Sequence, residues 1–232
     1  MSGQSSGFTL VELLVTLTII AVLAALTAGG VSQMQVARNQ SESASRLHQW
    51  GIALASYAAE NDGYMPRRGQ GVQPLVVIDR PDDWFNALPP FVGESPYVDL
   101  VYKGRRPQPG DRSIFVRPGA KNPMEAVVFL SYGMNMNLSP WNLPLATRIT
   151  QIEQAASTVF MAETPGPYAS TYPSTQPYSC VAPYHGKGNI LFLDGHVSLL
   201  DGSYIGVNSG DPHRPDVRWL TGTASDAQAG NY

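Results

Sequence analysis

Glu12 is the residue whose position most demands chemistry. It is the one charge in the 19-residue run from Phe8 to Leu26, Phe-Thr-Leu-Val-Glu-Leu-Leu-Val-Thr-Leu-Thr-Ile-Ile-Ala-Val-Leu-Ala-Ala-Leu. A carboxylate deep in such a stretch costs about 2.5–3.5 kcal/mol in a bilayer and calls for a cationic partner. No Lys or Arg precedes Arg38, so the partner is expected to be an amine from elsewhere.

A second capable group lies near the C-terminus: His185, Asp194 and His196. Two imidazoles and a carboxylate are a zinc-type donor set, although they match no ligand-spacing template. Each also has a structural account. Asp194 is a turn former, His196 flanks the turn in a strand, and His185 is a loop hydrogen-bond partner. Asp79, Asp82 and Asp83 are the kind of cluster a hard cation takes, but they read better as a solvated loop. Cys180 has no identifiable activator. The chain lacks Gly-x-Ser-x-Gly, His-Glu-x-x-His and a phosphate-binding glycine loop. Neither an enzymatic activity nor a cofactor is expected.

The elements that hold these residues follow from periodicity. As a helix at ~1.5 Å per residue, residues 8–26 span roughly 28 Å, close to the ~30 Å hydrocarbon core of a bilayer. A membrane helix is the direct reading. Residues 31–60 turn amphipathic. Ala37, Ala44, Gly51 and Ala58 recur every seven residues, as do Val36, Ser43, Trp50 and Tyr57, and Leu47 and Leu54 complete the stripe. The small residues suit close approach to a sheet or another helix. None of the 19 prolines precedes Pro66, and Asn61-Asp62-Gly63 supplies a stop. One helix from residue 8 to about 60 is expected, with Gly29-Gly30 as its weak point.

Beyond it the chain is dense in turns. Strands are expected at 126–130 and 158–162, and a short helix at 149–155. Asp194-Gly195 between apolar runs predicts a two-residue hairpin turn. That register sets Leu193 opposite His196, Phe192 opposite Val197 and Ile190 opposite Leu199. Ile190, Phe192, Val197 and Leu199 would then form one apolar face against the helix stripe.

Composition bounds the rest. Charged residues are 14%, below the ~25% of ordinary soluble domains. The net charge of −3 implies no general attraction to nucleic acid. A single cysteine excludes an internal disulfide, so stability must come from a core, a metal or assembly.

The stretch Gly7-Phe8-Thr9-Leu10-Val11-Glu12 resembles the processing motif of type IV prepilins and pseudopilins. The resemblance implies cleavage between Gly7 and Phe8 by a prepilin peptidase, N-methylation of Phe8, and pairing of Glu12 with the N-terminal amine of a neighbouring subunit. The C-terminal segment is similar to a prepilin-type group with His, nine residues, then Asp-Gly. Here eight residues separate His185 from Asp194, and Arg117-Pro118 stands where that group often has Cys-Pro. Family leaders usually carry Lys or Arg. Residues 1–7 carry neither, which weakens the positive-inside signal unless the peptidase motif overrides it or the true start lies upstream of Met1.

The expected organisation is a leader (1–7), a transmembrane and assembly helix (8–30), its amphipathic continuation (31–60), a β-rich head (61–220) and a flexible tail (221–232). The fold class is α+β and pilin-like: a long N-terminal helix packed on a small antiparallel sheet with long Pro/Gly-rich loops. The resemblance implies a bacterial inner-membrane protein with its head in the periplasm or at the cell surface. It would assemble with itself and other pilin or pseudopilin subunits, through an inner-membrane platform, into a type II secretion or type IV pilus-like filament. The alternative is a membrane-tethered head that binds a ligand or metal and uses this route only for export. Assembly accounts for Glu12, and a tether does not.

Overall fold

The computed structural model describes residues 7–70, 74–122, 125–139 and 147–220, with 26–30 as helical backbone only. Residues 1–6 of the expected leader and the expected tail at 221–232 lie outside the described residues.

Helix α1 runs Leu10–Glu60. It begins two residues later than the periodicity predicts, because Thr9 is its N-cap. The Thr9 N–H donates to Glu12 Oε2 (2.9 Å) and the Glu12 N–H donates back to Thr9 Oγ1 (3.3 Å). This is a capping box, which satisfies two N-terminal donors reciprocally. The stop is where the sequence places it. Gly63 N–H reaches back to the Ala58 carbonyl (2.9 Å), with Asp62 and Gly63 both at positive φ.

The chain divides between Arg38 and Asn39 into two compact units, and α1 contributes to both. In the first unit every described side chain of residues 10–25 is exposed. In the second, α1 buries Ser43, Leu47, Trp50 and Leu54, a stripe at i, i+4, i+7 and i+11.

The second unit continues through the short helices α2 (Trp84–Ala87) and α3 (Tyr97–Tyr102) into a five-stranded sheet. Its strands are β1 (Tyr132–Asn135), β2 (Val159–Glu163), β3 (Ser170–Thr171), β4 (Lys187–Phe192) and β5 (Val197–Asp201), followed by α4 (Gly202–Ile205). The spatial order is β3-β1-β2-β4-β5. β3 pairs parallel to β1 and the other ladders are antiparallel, so the sheet is mixed rather than antiparallel throughout.

Two cores result. On the α1 side, Trp50 meets Trp84 at 5.2 Å and Phe115 at 5.5 Å, and Tyr97 meets Phe115 at 5.1 Å. Each such aromatic pair adds about 0.5–1.5 kcal/mol beyond area burial. Leu191 and Met161 join this cluster. On the other side Val159, Ile190, Phe192, Ile205, Val217 and Trp219 form a second cluster. β4 is therefore buried on both faces.

Three expectations change. Residues 126–130 are not a strand, because their backbone groups are taken by side chains. Tyr97 Oη donates to the Phe129 carbonyl and accepts from its N–H (3.2 and 2.9 Å), and Asn122 holds Ala126 through both its amide atoms (2.9 Å each). The expected helix at 149–155 is a single 3₁₀ turn, Ile149–Gln151. The hairpin register is offset by one, to Leu191↔Val197, Ile190↔Ser198 and Asn189↔Leu199. The loop has three residues, Leu193-Asp194-Gly195, closed by Gly195 N–H to the Phe192 carbonyl and Phe192 N–H to the His196 carbonyl (3.0 Å each). Gly195 has positive φ (91°) and Asp194 does not, whereas a two-residue I′ turn needs positive φ at both. A one-residue offset turns every side chain over. Leu191 and Asn189 thus face α1, and Ile190 and Phe192 line the second core. Gly51 makes the close approach possible, since a Cβ there would lie 3.2 Å from both Gly195 Cα and Leu191 Cδ1.

Candidate functional site

The residues expected to serve processing and assembly, Gly7, Phe8 and Glu12, lie at and just before the start of α1. Gly7, Phe8 and Thr9 precede α1 and are exposed. Glu12 occupies the third position of the helix, where a carboxylate also complements the macrodipole. Thr9 Oγ1 donates to Glu12 Oε2 at 2.8 Å, on the same oxygen that takes the Thr9 N–H. Both bonds fall on Oε2, which leaves Oε1 open to a cation from outside. The partner inferred to be missing is thus supplied in part by Thr9, three residues away. The S/T-x-x-E pattern was present to be read.

Among the described residues no helix is long and apolar enough to cross a membrane. The described apolar part, residues 10–25, would span about 24 Å. It is nonetheless apolar on every face. Leu10, Val11, Leu14, Leu17, Ile20 and Leu23 are each more than half exposed.

The second unit contains a buried acid that the sequence reading passed over. Glu163, at the end of β2, is fully buried. Its Oε1 accepts from Ser43 Oγ of α1 (2.5 Å) and Tyr184 Oη (2.6 Å), and its Oε2 accepts from the Asn189 N–H of β4 (3.0 Å). Ser43 Oγ also bonds Tyr132 Oη (2.9 Å), and the Asn189 side chain exchanges hydrogen bonds with Gln40 (3.1 Å each way). Burial raises the Glu163 carboxyl above its ordinary range, against the donors from Ser43, Tyr184 and Asn189. The network ties α1 to β1, β2 and β4. Its one sequence signal was a charge ending an otherwise apolar strand.

The zinc-type set is not assembled. Asp194 Oδ1 lies 2.6 Å from His196 Nδ1 and accepts the His196 N–H (3.1 Å), while the His196 ring stacks on Phe192 at 4.2 Å. His185 precedes β4 and the other two follow it. A six-residue strand, roughly 20 Å, lies between them. No cluster of metal-ligating side chains occurs among the described residues. The Asp79-Asp82-Asp83 cluster is also divided: Asp82 pairs with Arg67, and Asp83 is buried with neither carboxylate oxygen bonded. Burial pushes Asp83 up to about 7. Cys180 is buried and pushed up to about 12, which makes it a poor nucleophile.

The exposed Gly7-Phe8 bond thus lies just ahead of a capped helix, with a lone carboxylate in the first turn of an apolar segment. Residues 3–28 match the family described as the Prokaryotic N-terminal methylation motif, so the chain carries the prepilin-type signature. No curated protein and no solved structure matches the chain.

Proposed function

We propose that this chain is a pilin-like structural subunit, without catalytic activity, of a type II secretion or type IV pilus-like filament. Prepilin peptidase cuts between Gly7 and Phe8 and the new Phe8 amine is methylated. The apolar segment then holds the protein in the bacterial inner membrane until it is assembled. The observation that carries this reading is the methylation motif over residues 3–28, a range that includes Gly7, Phe8 and Glu12. The geometry supports it. Both Thr9 bonds sit on one oxygen of Glu12, and a neighbour's amine would complete the other. An apolar helix exposed on all sides gains most by burial in lipid or against other helices.

The test has two parts. Mass spectrometry of the native N-terminus should find a chain that begins at methylated Phe8. An intact leader would end the processing claim. Cysteine cross-linking between neighbouring N-terminal helices should succeed in the unaltered protein and fall sharply in Glu12→Val, with cleavage preserved. Equal cross-linking in both would favour the tethered head.

A further inference from the structure

The second unit carries a basic segment on the α1 side of its sheet and, on the other side, a groove edged by two carboxylates. Between residues 103 and 121, Lys103, Arg105, Arg106, Arg112, Arg117 and Lys121 oppose Asp111 alone, in a chain whose net charge is −3. All but Arg117 are exposed. This segment follows α3 and lies on the α1 side, where Arg46 Nη1 donates to the carbonyls of Ser113 (2.8 Å) and Val116. Arg117 turns inward and contributes positive potential at Glu163. Tyr102, at the head of the segment, is 74% exposed.

On the other side of the sheet lies a groove of about 550 Å³. Phe192, Leu200 and Val217 give it an apolar lining, and exposed Glu153 and Asp216 lie along it with His196. Asp216 is held in place by Tyr204 Oη, which donates to its two oxygens (2.7 and 2.9 Å). Arg214 is drawn onto the Tyr204 ring, 4.7 Å from its centroid.

We propose that the basic segment 103–121 of one copy docks on the Glu153–Asp216 groove of the next. The inference rests on the assembly reading and names the contact between neighbouring subunits in the second unit. A chain cannot fill its own groove, because the sheet separates the two surfaces. The contact joins unlike patches, so it is heterologous, and a heterologous contact that does not close generates an open filament. Arginines suit the task, since the guanidinium fork matches a carboxylate while its stem and plane cover apolar and aromatic surface. Complementary charge also fixes which partner and which register are accepted.

Full-length chains carrying Ala156→Cys in the groove and Tyr102→Cys beside the basic segment test the contact, read as cross-linking between copies in membranes. Cross-linking between N-terminal helices is scored in the same samples. Arg105→Glu with Arg106→Glu should lower the 102–156 cross-link several-fold, and so should Glu153→Lys with Asp216→Lys. Glu153→Lys alone, which leaves the Tyr204–Asp216 contact intact, should lower it to a smaller degree. Combining both reversals in one chain should restore the cross-link, because every reversed segment then meets a reversed groove. Raising salt from ~0.1 to ~0.5 M should weaken it in the unaltered protein. If the helix cross-link persists while the 102–156 cross-link is absent or indifferent to charge, the inference is overturned and the assembly reading stands. If neither cross-link forms, both fall. If Arg105→Glu with Arg106→Glu abolishes retention on heparin or on phosphatidylglycerol vesicles and leaves the 102–156 cross-link intact, the basic segment serves a polyanion instead and the proposal fails.

Discussion

Glu12 and Glu163 are the same side chain in two apolar settings, and they are satisfied in opposite ways. Glu12 bonds Thr9, three residues away, and remains exposed on a helix whose described side chains over 10–25 are all exposed. Glu163 bonds Ser43, Tyr184 and Asn189, which come from α1, a loop and β4, and it is wholly enclosed. The first carboxylate is complete enough to fold and open enough to bind. The second is complete and can bind nothing further. A buried polar group held from several elements specifies how those elements dock, and a locally capped one leaves the surface around it available.

The strongest test of that contrast is to remove each acid. Glu163→Ala leaves Ser43, Tyr184 and the Asn189 N–H without their acceptor inside the core. Leaving buried donors unsatisfied costs about 1–3 kcal/mol each, so several kcal/mol are lost. At roughly 2–4 °C per kcal/mol for a domain of this size, thermal unfolding of the detergent-solubilised chain should shift down by on the order of 10 °C. Glu12→Val should leave that transition where it was, because the second unit does not use Glu12. Comparable shifts in the two variants would erase the distinction.

Asp83 sharpens the comparison as a carboxylate with neither kind of partner. Burial raises it to about 7, from an ordinary value near ~3.9. A group whose folded pKa is raised contributes stability that is fully present below the unfolded value. That contribution is lost as pH rises through the folded one. The protein should therefore lose stability between about pH 4 and 7 on account of Asp83. Asp83→Asn removes this titration. The substituted chain should melt several degrees higher than the original at pH 8, and no higher at pH 4. Glu163 titrates in the same direction but is common to both chains, so it cancels in the difference. A pH-independent difference would show that Asp83 is not the titrating group.

Legibility in the sequence followed the same division between local and distant partners. The N-terminal motif could be read because Gly7, Phe8, Thr9 and Glu12 lie within six consecutive residues. The α1 stripe could be read because Ser43, Leu47, Trp50 and Leu54 repeat at helical spacing. The stop at Asn61-Asp62-Gly63 is likewise local. Glu163 was not legible, since its partners lie 120, 21 and 26 residues away. The same holds for residues 126–130. Their β-like pattern is real, but Tyr97 and Asn122 take the backbone groups that a ladder would need. β4 was misread for a related reason. A strand buried on both faces has no polar alternation to fix which side meets the helix.

The hairpin offers the finest test, because the two registers predict opposite signs for one substitution. In a two-residue I′ turn Asp194 would sit at positive φ, and Asp194→Gly would relieve strain. In the three-residue loop the positive φ belongs to Gly195, at 91°. Asp194 instead accepts the His196 N–H at 3.1 Å and lies 2.6 Å from its ring nitrogen. Asp194→Gly then removes those bonds and adds backbone freedom to the unfolded chain. The combined loss is about 1 kcal/mol, because the site is exposed and water replaces part of what is removed. Thermal unfolding should fall by roughly 2–4 °C. A rise instead would restore the two-residue turn, with Ile190 and Phe192 against α1 in place of Leu191.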